Sequence, residues 1–116
     1  MRLNIASPSE LVKNFGYAHS AATTAREPVV INGKLFIPQN TAGANERNAY
    51  AYETEIDNAP AETGVAWVPG DKLYWDAAAK NLTKTATSNT LAGHALHPKD
   101  AAAAVSGLVA FNAFAA

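Results

Sequence analysis

Pro28-Val29-Val30-Ile31-Asn32-Gly33-Lys34-Leu35-Phe36-Ile37 sets two β-branched and aromatic runs on either side of an Asn-Gly pair. Asn-Gly supplies the two successive positive-φ residues of a type I′ turn, whose twist matches that of the strands it joins. Pro38 has no N–H to give to a ladder and closes the second run. The chain is therefore expected to be β-structured from residue 27 onward.

Beyond the hairpin the same logic repeats. Residues 39–45 are Asn, Thr, Gly and Ala in a loop-forming mixture. Residues 50–57 alternate: Tyr50, Tyr52, Thr54 and Ile56 on one side, Ala51, Glu53, Glu55 and Asp57 on the other. That pattern predicts a strand with one packed face and one acidic, wet face. Residues 65–68 read as a short strand stopped by the turn dipeptide Pro69-Gly70. Residues 72–75 read as another, turning through 76–81 into a strand over 82–87 with Thr83, Thr85 and Thr87 on one face. Ser88-Asn89 turns into a strand over 90–96. The alanines at 101–104 suit a helix by propensity, but Val105, Val109 and Phe111 alternate and Gly107 disfavours a helix, so a closing strand is expected. About eight short strands at regular spacing predict an all-β fold, a small β-barrel or jelly-roll-like sandwich.

Residues 1–26 read differently. Ser7-Pro8-Ser9-Glu10 forms a capping box, with Ser7 as cap and Pro8 at the first helical position. Leu11 and Phe15 follow four apart and Gly16 is placed to end the turn. Two turns of helix are too short to stand without a docking surface. Residues 17–25 are small and polar, without period. The expected organisation is an N-terminal arm with a short helix over 1–26 and a β-domain over 27–116.

Composition limits what such a fold can do. Of 116 residues 26 are Ala, while Leu, Ile, Val and Phe together make 23, near the border at which a chain struggles to bury enough apolar surface alone. Completion of its stability by a partner is one reading; an Ala-padded domain of ordinary stability is the other. The net charge of −1 offers no basic field for nucleic acid and no polybasic membrane patch. Residues 46–76 carry seven acids against Arg47 and Lys72, a local net of −5, which opposes phosphate contact there. There is no Cys, hence no disulfide, thiol nucleophile or Cys-based zinc site. Residues 1–10 lack the charged and apolar regions of a secretory signal, and no apolar run approaches the roughly 20 residues of a membrane span. A soluble protein made in the cytoplasm is expected.

Chemistry is hard to assemble from these residues. His94 and His97, three apart, fall on opposite faces of a strand, and His19 lies in the arm. Surface or turn histidines are the simpler account, and no metal or cofactor is expected. Ser106-Gly107 lacks the flanking glycine of a nucleophile elbow. Glu53, Glu55 and Asp57 alternate onto one strand face about 7 Å apart, a spacing paired-carboxylate catalysis tolerates, yet an acidic solvent face is the simpler account. Trp67, Tyr74 and Trp75 suit stacking; Tyr74 and Trp75 point to opposite faces, one toward the core and the other toward surface or interface.

Residues 69–96 carry a more specific signal. Pro69-Gly70-Asp71-Lys72-Leu73-Tyr74-Trp75-Asp76, the Thr-rich run at 82–87, and Leu91-Ala92-Gly93-His94-Ala95 resemble the phage capsid cement (head-decoration) family in order and spacing. Pro28 to Ile37 resembles that family's first strand pair more loosely. Gly93 permits a close backbone approach or a bulge, so these residues specify turns and packing rather than chemistry. The resemblance implies a non-enzymatic virion protein, synthesised in the host cytoplasm, that sits on the capsid exterior. It implies the major capsid protein as partner across subunit seams, a homo-oligomer (dimer or trimer) on the capsid, and neither nucleic acid nor membrane. Leu11, Phe15, Tyr17 and Trp75 are the expected capsid-binding residues, Leu11 and Phe15 because they have no evident home in the β-domain. The alternatives are a carbohydrate-binding or glycosidase-like β-domain using Glu53, Glu55, Trp67 and Trp75, and a tail or baseplate β-module.

Overall fold

The computed structural model describes residues 3–5 and 12–115, and these described residues run through nine strands. They are β1 (Asn4–Ile5), β2 (Lys13–Ala18), β3 (Val29–Ile31), β4 (Lys34–Pro38), β5 (Arg47–Asp57), β6 (Lys72–Asp76), β7 (Asn81–Thr83), β8 (Thr90–Ala95) and β9 (Val109–Asn112). No helix occurs among the described residues, and the antiparallel sheet curls into a half-barrel, the all-β class expected. Its order is β3-β4-β5-β9-β8-β6-β7, with β1 and β2 also on β5.

The Asn-Gly hairpin forms as read. Asn32 and Gly33 take φ of 51° and 78°, and β3 pairs with β4 from Val29↔Phe36 to Ile31↔Lys34.

β5 is the spine. Ala51 pairs with Asn14 of β2 and Ile37 of β4, and Ile56 pairs with Ile5 of β1 and Val109 of β9. One edge of β5 thus takes β1 and β2 end to end, and the other takes β4 and β9. The expected alternation holds for Tyr50, Thr54 and Ile56, which are buried, and for Glu55, which is exposed. Ala51 departs from it: it is fully buried beside its equally buried partner Ile37, so the second face turns wet only further along the strand.

The other half closes around Gly93. It pairs with Leu73 on one side and Phe111 on the other, at the register shift between Leu73 and Tyr74. A Cβ at Gly93 would lie 1.9 Å from the carbonyl oxygen of Ala110, so only glycine lets β9 approach. Leu73, Trp75, Leu82, Val109 and Phe111 pack there into the cluster that also holds Leu35, Ile37, Tyr50 and Ile56.

Local expectations fail where burial or loop hydrogen bonds override pattern. Residues 65–68 form no strand; Trp67 makes one isolated bridge to Lys99. The Thr-rich strand ends at Thr83, whose hydroxyl accepts the Thr85 N–H and turns the chain out. The closing strand begins only at Val109. Part of the expected N-terminal helix, residues 7–11, lies outside the described residues. Phe15 and Gly16, expected to end that helix, instead lie in β2, because pairing with Tyr50 and Ala49 gives this backbone a ladder that a two-turn helix could not match.

Residues 19–26 are tied down as well. Thr23 and Ala42 exchange backbone hydrogen bonds of 2.9 and 3.1 Å, and Arg26 N–H donates to Pro38 at 2.8 Å. The buried Asn48 fastens the same loops, donating to the Asn40 carbonyl at 2.6 Å.

Candidate interaction surface

β2 alternates Phe15 and Tyr17 onto one face, and its register on β5 places them alongside Tyr50. The Phe15 ring lies 5.0 Å edge-on to Phe36, 5.7 Å from Tyr50 and 6.2 Å from Tyr52. Phe114 completes the set. Its backbone N–H is caught by the Asn112 side chain at 2.9 Å just past β9, and the turn sets its ring 6.0 Å from both Phe36 and Tyr52. Edge and tilted contacts at these distances are the geometry aromatic rings favour, so the patch is ordered by its own contacts. It is not closed: Tyr17 remains 44% and Phe114 59% exposed.

Phe15, Tyr17, Ile31, Lys34, Phe36 and Phe114 line a groove of about 300 Å³ on this face. Its one charged group, the Lys34 ammonium, lies 5.9 Å from the Phe114 ring centre and has no carboxylate partner among the described residues. Beside the groove, five of the six β2 residues are exposed. β2 pairs with β5 alone, so its outer edge carries unpaired backbone groups among the described residues. A second, polar hollow of about 480 Å³ lies around residues 40–49. Its best-placed polar groups are already engaged within the loop: Glu46 accepts the Gly43 N–H, and Asn48 bonds Asn40.

The expected contact residues separate. Tyr17 is exposed and Phe15 half-buried, both on this surface. Phe15 has a home after all, among Phe36, Tyr50 and Tyr52. Leu11 lies outside the described residues. Trp75 is corrected: at 3% exposure it is core, held between β7 and β8 by its pairing with Leu82 and Thr90, and has no surface to offer a partner. Tyr74 is the half-buried neighbour. Phe36, Lys34 and Phe114 were missed. The signal for Phe114 was its spacing of three from Phe111, which puts one ring in the core and the other past the strand end.

The residues weighed for chemistry serve structure. Ser106 is buried, and its hydroxyl accepts the Ala59 N–H at 3.1 Å. Glu53 pairs with Lys13 at 3.2 Å and accepts from Asn112. His97 Nδ1 accepts the Leu108 N–H at 3.3 Å. Asp71 accepts the Val68 N–H at 2.9 Å and meets Lys84 at 3.2 Å, and these two contacts, in that order, lower its pKa below the usual carboxylate value. Trp67, 2% exposed, lies under the buried Lys99, whose ammonium sits 5.1 Å from the ring centre and donates to the carbonyls of Asp100 and Ala103. With both indoles in the core, a sugar-stacking platform on Trp67 and Trp75 is not available. No cluster of three potential metal ligands occurs among the described residues.

Fold and surface together define a small β module whose most developed exposed feature is an aromatic face beside an open strand edge, the equipment of a binding module. The sequence matches the family model described as phage cement protein over residues 7–111, and the chain belongs to that family. A capsid cement role in general follows from that membership. Comparison with curated proteins and with solved structures gave no match.

Proposed function

We infer that the protein binds the outer surface of the assembled phage head across seams between major capsid subunits and stiffens the shell without catalysing a reaction. Membership of the cement family over residues 7–111 carries the reading. The open aromatic face supports it, because lasting attachment asks for about 1,000 Å² or more of buried surface with aromatic anchors near its centre. In this reading the N-terminal 26 residues face the capsid, with Leu11, Phe15 and Tyr17 among the contacts. The protein acts as a dimer or trimer, since closed symmetric oligomers match the two-fold and three-fold seams of a shell. A few kcal/mol per copy, repeated over hundreds of sites, resists the cooperative loss of a shell.

Phage heads made without this protein test the reading. They are expected to assemble in normal yield and to rupture at lower temperature than decorated heads, with added protein restoring the difference. Undecorated heads as heat-resistant as decorated ones would overturn it.

A further inference from the structure

Among the described residues, two neighbouring features have no internal purpose: the outer edge of β2 and the groove whose wall Phe15 and Tyr17 form. An open strand edge is a template for another strand, because its backbone donors and acceptors already stand in ladder register. β2 carries few of the devices that discourage such pairing. It has no proline, and its single lysine, Lys13, sits at one end and is drawn to Glu53. A strand laid beside β2 would place alternate side chains on the face of Phe15 and Tyr17, at the mouth of the groove. The groove selects among those side chains. Its lining is apolar apart from Asn32 and Lys34.

On these grounds, we propose that β2 and the aromatic groove receive an extended segment of the capsid subunit, pairing with the β2 edge, seating an apolar side chain against Tyr17 and Phe114, and meeting Lys34 with a carboxylate. The proposal rests on the capsid-binding reading and names its surface. Charge separates this occupant from a second copy of the chain. Among the described residues the groove lining holds no Asp or Glu, so β2-to-β2 pairing would leave Lys34 of each copy without a counter-ion from that lining. The chain's own acidic strand, Glu53-Thr54-Glu55-Ile56-Asp57, is not free to be the incoming one, because each of its residues is already paired in the sheet with β1, β2 or β9.

The test uses heads purified without this protein and the full-length chain in four forms: wild type, Phe114→Asp, Lys34→Glu and Val68→Asp. Val68, 60% exposed and outside the groove lining, serves as a surface control. Circular dichroism confirms that each form is folded, and co-sedimentation reads occupancy. Phe114→Asp and Lys34→Glu are expected to weaken binding roughly tenfold or more, as hot-spot changes do, with Val68→Asp near wild type. If wild type binds while both groove variants bind equally well, the surface assignment falls and the capsid-binding reading stands. If wild type does not bind, both fall. If Phe114→Asp converts a dimer in solution to monomer and leaves occupancy unchanged, the face joins copies of this chain and the proposal is wrong.

Discussion

The sheet around β6, β8 and β9 and the sheet around β2, β3 and β4 share the spine β5 and differ in how they are finished. In the first, Leu73, Trp75, Leu82, Val109 and Phe111 are all at most 3% exposed, and Gly93 allows a backbone approach no other residue permits. In the second, a more aromatic set ends in the open: Tyr17 and Phe114 face outward and β2 has one unpaired edge among the described residues. Aromatic content alone therefore does not separate core from contact surface; strand pairing on both sides and coverage of the face do. One region is closed by its own strands, and the other leaves apolar area exposed.

The largest expected effect falls on the closed region. Gly93→Ala drives a methyl group into the Ala110 carbonyl across a ladder whose strands cannot part without losing their bonds. A cost of about 4 kcal/mol or more is expected, in the range that exceeds the stability many domains have to spare. Soluble yield and melting temperature read it. A variant that melts like wild type would mean that β8 and β9 are not held at this distance.

Next comes a crossed pair. Trp75→Ala should cost about 3–5 kcal/mol by emptying a buried site. Tyr17→Ala should change stability by less than about 1 kcal/mol and act on head binding instead. Urea titration and co-sedimentation on the same two variants measure both. If Tyr17→Ala destabilised the protein as much as Trp75→Ala, the division between the two regions would disappear.

The smallest effect is a pH dependence in the turn before β6. The Val68 N–H, and after it Lys84, favour ionised Asp71 and lower its folded pKa. The stabilisation is present above the unfolded value of about 3.9 and is lost as pH falls through the lowered folded value. The melting-temperature gap between wild type and Asp71→Asn is expected to be widest near neutral pH and to narrow as pH falls below the unfolded value of about 3.9. A gap that stays constant down to pH 2 would remove Asp71 from the account.

How far the sequence could be read follows the same boundary. The hairpin at Asn32-Gly33, the alternation at Tyr50, Thr54 and Ile56, and the need for glycine at 93 were legible because each is local or strictly periodic. So was the family: the resemblance seen at residues 69–96 belongs to a match running over 7–111. What was not legible depended on partners distant in sequence. Phe15 looked like the end of a helix because its neighbours Phe36 and Tyr50 are 21 and 35 residues away. Trp67 sat in an apparent strand, yet it is held by one bridge and the buried ammonium of Lys99, and nothing in the composition marks that lysine as interior. Trp75, expected among the capsid-binding residues, is core because β7 and β8 enclose it. The aromatic face exists only when β2, β4 and the turn after β9 meet, so no single stretch announced it.

Amide hydrogen exchange on the protein free and bound to purified heads tests the central division most directly, because it reads both regions at once. Exchange at residues 13–18 is expected to slow markedly on heads as the open edge of β2 is covered, while residues 72–76 and 90–95, already paired and buried, exchange alike in both states. Slowing confined to residues 72–95, with residues 13–18 unchanged, would contradict the account.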